Sequence, residues 1–245
     1  LKPFAFGKEE ADREDELKGE ALEGLWPDLL SVEELLAAAE LPRIPNRTGT
    51  YQLFFYYQVA SKAYNSQMVS LLEWTCSQPR RSFHRGYLAG LMDSIFENAW
   101  VRLTEGQILN AYTQAVLERV RRLDVPLVKH TTRDDYWFRD RDKRLLVLSE
   151  LFPLIDGEEG DAFRFGELLA LTDIDWLVGR IDEHGDSRLL SKIAEILKCK
   201  LLSPSVELCT AIENATANCP ELVASLQQGL GAARAAKQDE FYTQY

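Results

Sequence analysis

The 245-residue sequence predicts an all-α fold, an irregular α-solenoid of antiparallel, HEAT-like helix pairs. Three observations predict it. Apolar residues recur at three- and four-residue steps over most of the chain, strand-like alternation is nearly absent, and capping residues stand where each apolar period begins. An amphipathic helix must bury one face. Successive helices joined by short links do so most simply as antiparallel neighbours stacked side by side. No repeat of fixed length accompanies the stacking, so the all-α expectation rests on more than the solenoid does.

Taken in order, the spacing predicts helices over 11–26, 31–40, 49–62, 66–78, 84–102, 105–123, 141–153, 161–171, 173–184, 187–201, 206–217 and 220–240. The clearest periods are Leu88, Leu91, Met92, Ile95, Phe96, Ala99, Trp100 and Leu103, then Ile108, Tyr112, Ala115, Val116, Val120 and Leu123. Trp26-Pro27 ends one helix, and Ser31 caps the next with Glu34 placed to close a capping box. Thr104 with Gln107 makes a second such pair. Asn65, Asp140, Asp186 and Ser205 are further N-cap candidates, and Pro220 suits a first helical position, where its missing amide is no loss. Helical spacing lapses over 124–140, DVPLVKHTTRDDYWFRD, for longer than a usual connection. This predicts an N-terminal half over 1–123, a linker or long loop over 124–140 and a C-terminal half over 141–245, or one continuous solenoid.

The bulk composition excludes some classes of function. With 46% hydrophobic residues the chain is not disordered, and 28 Lys and Arg against 39 Asp and Glu give a formal charge of −11. Such a balance repels phosphate backbones and disfavours a broad nucleic-acid-binding face. No apolar run reaches the roughly 18 residues a transmembrane helix needs, and the start lacks a secretory signal, so a soluble chain without a membrane partner is expected. The first residue is Leu1, and Met68 and Met92 lie inside apolar stretches, as in an excised or processed piece. Cys76, Cys199, Cys209 and Cys219 show no CxxC spacing. Unbridged, mostly buried thiols and a reducing, cytoplasmic setting are the expectation.

Patterns that carry chemistry are missing or have a plainer structural reading. There is no GxxxxGK[ST] phosphate cradle, and Gly229-Leu230-Gly231 lies in an alanine-rich helical pattern without a preceding strand. His84, His130 and His184 are isolated, and Glu183-His184-Gly185 reads as a helix end, where histidine complements terminal carbonyls. No GxSxG elbow presents a nucleophile. Asp140-Arg141-Asp142-Lys143 resembles the carboxylate-x-lysine end of a metal-dependent nuclease motif. Here, however, it opens an amphipathic helix rather than a core strand, and reads as a solvated first turn. The mixed-charge run over 8–20 reads as a solvated helix start. No catalytic residue, metal or cofactor is assigned.

The aromatic run Tyr51, Phe54, Phe55, Tyr56 and Tyr57 carries more rings than one narrow core stripe accommodates. Core packing, some of it against a neighbouring helix, is the plainer reading of the run; beside it, Tyr51, Phe55, Tyr56 and Tyr57, with Trp137 and Phe138, form a candidate interaction surface for another domain or a protein partner.

Residues 15–38, DELKGEALEGLWPDLLSVEELLAA, and 41–55, LPRIPNRTGTYQLFF, resemble the helical region that follows the nucleotide-binding module of bacterial NACHT-type STAND NTPases. The resemblance is carried by Leu17-Lys18-Gly19 with Ala21-Leu22, Leu25-Trp26-Pro27, Glu33-Glu34-Leu35, and Gly49 with Tyr51. Further on it is carried by Arg144-Leu145-Leu146 before Leu151-Phe152-Pro153, and by Asp173, Trp176-Leu177 and Arg180. It extends over about 15–200. It implies a non-catalytic arm between an NTPase engine and a sensor or effector in large cytoplasmic signalling proteins, several of them antiphage defence ATPases. The family's P-loop and metal-binding acid have no matching positions here, so no catalytic residue is carried over. Two other readings stand beside it: a free-standing helical-repeat adaptor gripping a protein or peptide, and a HEAT-like nucleic-acid-processing enzyme, which the acidic balance disfavours.

Overall fold

The structure, a computed structural model, describes residues 2–6, 15–39, 49–78, 86–123, 136–155, 159–184 and 187–243. Among them the only regular elements are helices, so the fold is all-α. Each helix expected from the apolar period meets an observed one. The chain divides into two compact units, Leu1–Arg122 and Leu123–Tyr245.

The first unit holds α1 (Lys2–Phe6), α2 (Glu16–Leu25), α3 (Val32–Ala39), α4 (Thr50–Tyr57), α5 (Val59–Lys62), α6 (Asn65–Ser77), α7 (Gly86–Val101) and α8 (Gly106–Leu123). The packing skips along the chain. Helix α2 lies on α1 and α4, α4 and α5 lie on α7, and α6 touches α3 and α7. Helix α8 joins α7 through Phe96 and Tyr112, whose ring centroids are 5.3 Å apart, and through Arg119, 3.3 Å from Asp93. The crossing of α2 and α4 is close enough to require Gly19, since a Cβ there would stand 2.5 Å from the Tyr51 amide nitrogen.

Local chemistry explains the helix ends. The Ser31 amide donates to Glu34 Oε2 and the Glu34 amide to Ser31 Oγ, each at 3.1 Å, which completes the expected box. The reach-back half of that device recurs where the Gly49 amide donates to Gln52 Oε1 at 3.0 Å and the Tyr64 amide to Gln67 Oε1 at 2.9 Å. Helix α2 stops at Leu25 because Trp26, preceding proline, is extended. The Trp26 indole is buried and donates to the Val59 carbonyl at 3.0 Å.

Three expectations shift. The single helix over 49–62 is interrupted at Gln58, where the Ser61 hydroxyl donates to the Tyr57 and Gln58 carbonyls at 2.7 and 3.2 Å and the Gln58 carbonyl also accepts from the Lys62 amide at 3.0 Å. Asn65 is the first residue of α6 rather than its cap, a position held by Tyr64. Helix α8 opens at Gly106, and the Ile108 and Leu109 amides donate to the Glu105 carbonyl, so Glu105 stands where Thr104 was expected.

The second unit holds α9 (Tyr136–Arg139), α10 (Arg141–Leu151), a 3-10 turn at Phe152–Leu154, α11 (Glu159–Leu168), a second 3-10 turn at Leu171–Asp173, α12 (Ile174–His184), α13 (Ser187–Lys200), α14 (Val206–Thr216) and α15 (Pro220–Thr243). Helix α11 packs on α13 and α13 on α15, while α12 packs on α14, with α12–α13 and α14–α15 as direct neighbours. Asp140 caps α10 by accepting from the Lys143 amide, and Ser205 caps α14 by accepting from the Leu208 amide, both at 3.1 Å. Pro220 opens α15 as expected. Part of the expected 124–140 loop is helical: α9 belongs to the second unit because it packs on α10.

Candidate interaction surface

Helical geometry on α4 sorts the aromatic run by face. Tyr51, Phe54 and Phe55 point inward and are fully buried, with edge-to-face pairs Tyr51–Phe55 at 5.0 Å and Phe54–Phe55 at 5.2 Å. The Tyr51 hydroxyl donates to the Ala38 carbonyl at the end of α3, at 2.5 Å. Beside the Tyr51 ring lies the buried Lys18 ammonium, 5.8 Å from its centroid and 3.1 Å from Asp15 Oδ1. Tyr51 and Phe55 are thus core residues and not exposed contact residues. One helix buries so many rings because α4 is covered by α2 on one side and α7 on the other, so its inward face is broad.

Tyr56 is half-buried, its ring filling the space a Cβ on Gly90 would occupy. Tyr57 is 52% exposed, its ring 5.9 Å from that of Tyr56. Among these tyrosines it is the one that presents its ring to solvent, next to Leu53, also exposed one helical turn earlier.

In the second unit Trp137 is likewise a core anchor and not a surface residue, because the α9 turn presses its indole onto the end of α11. Trp137 Nε1 donates to the Leu168 carbonyl at 2.8 Å, and Arg144 Nη1 donates to the Trp137 carbonyl at 2.7 Å. Phe138 beside it is half-buried.

Arg144 is 1% exposed and forms a bidentate pair with the wholly buried Asp173, Nε to Oδ2 at 2.6 Å and Nη2 to Oδ1 at 2.8 Å. Asp173 Oδ2 also accepts from the Ala170 amide at 2.9 Å, and Thr172 Oγ1 accepts from Arg144 Nη2 at 3.3 Å. Both partners of a buried charge pair need such further bonds to offset desolvation, and both have them. The sequence holds a trace of this arrangement, because Arg144 begins the buried stripe Arg144, Val147, Leu148, Leu151 of α10. A charged residue at the head of an inward stripe asks for a buried partner; 29 residues of separation hide which one.

The same corner gathers another cation, Lys200. Lys200 Nζ donates to the Gly166 and Leu169 carbonyls at 2.7 and 3.0 Å, satisfying the free carbonyl end of α11. Burial pushes the Lys200 ammonium below the ordinary lysine range, against the opposing pull of Glu167 and Asp173. Lys192 Nζ donates to the Phe152 carbonyl at 2.5 Å and lies 4.4 Å from the Phe152 ring centroid. Arg180 lies over the Trp176 ring and donates to Ser149 Oγ at 3.0 Å.

Outside this corner lies an open groove of about 550 Å³ between α12 and α14, lined by Leu171, Ile174, Ala211 and Ala215 with Asn214 and Thr172. Its rim is an exposed ion pair, Arg141 Nη2 to Asp175 Oδ1 at 3.1 Å, and Arg141 Nε also donates to the Thr172 carbonyl at 2.9 Å. The groove thus has a largely apolar floor and a charge-balanced rim. Neither the period nor any motif signals this groove, since Leu171 comes from a 3-10 turn and the alanines from a separate helix.

The other candidates are placed as follows. Asp140, Arg141 and Lys143 sit in the cap and first turn of α10, and Gly229 to Gly231 lie inside α15. His184 ends α12, while His84, His130 and Asp186 lie outside the described residues. Among the described residues no group of three or more His, Cys, Asp or Glu is placed to hold a metal, and no helix is long and apolar enough to cross a membrane. The four cysteines are unbridged; Cys199 is buried, and Cys76, Cys209 and Cys219 are half-buried, so fewer thiols are fully enclosed than expected. No family model, no curated protein and no solved structure matches the chain.

Proposed function

We propose that the chain is a non-catalytic helical arm, an irregular HEAT-like solenoid that positions or transmits between the engine and the sensor of a larger NACHT-type STAND NTPase, in a cytoplasmic antiphage defence system. The observation that carries this reading is the next-but-one stacking of helices within each unit. In the second, α11, α13 and α15 follow one another as one layer and α12 and α14 as another. In the first, α2, α4 with α5, and α7 do the same beside α3 and α6. Layers of this kind are how solenoids propagate, each helix pair burying its neighbour's apolar face. The resemblance of residues 15–200 to the helical region of that NTPase family is the support for such a parent. Lys18 and Gly19 with Tyr51, Trp26-Pro27, and Arg144 with Asp173 all serve packing here. The purified 245-residue chain is expected to show no ATP turnover above buffer with Mg²⁺ present; robust metal-dependent hydrolysis would overturn the proposal.

The groove between α12 and α14 favours a second reading, a free-standing adaptor that grips a protein segment. The two separate at the gene, because a reading frame continuing upstream into a P-loop domain removes the free-standing adaptor. If the groove binds a partner, Ala215→Trp abolishes capture of that partner while leaving the unfolding midpoint nearly unchanged. Undiminished capture by this variant would remove the groove from the reading.

A further inference from the structure

We draw no further inference here: the strongest candidate, the open groove between α12 and α14 floored by Leu171, Ala211 and Ala215, belongs to the surface already described, its ion-paired rim carries no unbalanced charge to select an occupant, and nothing in the structure shows what covers it.

Discussion

In the first unit the bulkiest fully buried side chains are aromatic, Tyr51, Phe54, Phe55, Phe96 and Tyr112, whereas in the second the bulkiest is Arg144. Both units contain contacts between next-but-one helices, and they differ in what fills the space between helices. The first unit is filled mainly by ring packing, which is sensitive to volume. The second concentrates α9, α10, the Leu171–Asp173 turn and α13 on one polar corner, where Trp137, Arg144, Asp173 and Lys200 meet backbone carbonyls and each other. Such a corner tolerates small changes of shape but not the loss of one charge. The first unit's own buried pair, Lys18 with Asp15, is a local contact three residues apart, while Arg144 and Asp173 join elements 29 residues apart.

The strongest way to break this contrast is to strip one charge from the corner. Asp173→Ala leaves the Arg144 guanidinium buried without its carboxylate and is expected to destabilise by about 3–5 kcal/mol, read from urea unfolding. Arg144→Met combined with Asp173→Ala is expected to recover much of that loss. A double variant as unstable as the sum of the two singles would show that the pair is not coupled. In the first unit the matching experiment is about volume. Phe55→Ala is expected to destabilise by roughly 3–5 kcal/mol, while Tyr57→Ala, two positions on and exposed, stays within about 0.5 kcal/mol. Equal losses at the two positions would contradict the inward and outward assignment on α4.

One further expected effect has the opposite sign. Thr113 is buried on α8, and its hydroxyl oxygen has no hydrogen-bond partner among the described residues. Thr113→Val keeps the shape and removes the unsatisfied group, so thermal unfolding is expected to rise by the equivalent of up to about 1 kcal/mol. A clear loss would mean that the hydroxyl is satisfied after all. Together the three experiments separate a core limited by packing from a corner limited by charge pairing.

Much of the fold is legible in the sequence because its causes are local. The apolar period of Leu88 to Leu103 repeats every turn whatever lies opposite, and the Ser31–Glu34 box closes between residues three apart. Asp140 and Ser205 act as caps for the same reason. The break at Gln58 and the start of α8 at Gly106 are harder to read, since each concerns one or two residues at a helix end. The burial of Tyr51, Phe55 and Trp137 is hard to read for a different reason. A ring count along one helix cannot show that α4 packs on both α2 and α7, or that a helical turn within the 124–140 lapse places its indole on α11.

By itself, then, the sequence determined that the protein is all-helical, where most helices start and stop, and which face of each is apolar, because periodicity and capping act over one or two turns. Only the tertiary structure decided which aromatic residues are core, that Arg144 is buried and paired with Asp173, and that a groove opens between α12 and α14. Those outcomes depend on partners about 30 residues away, and burial is a property of the neighbours a residue acquires rather than of the residue alone.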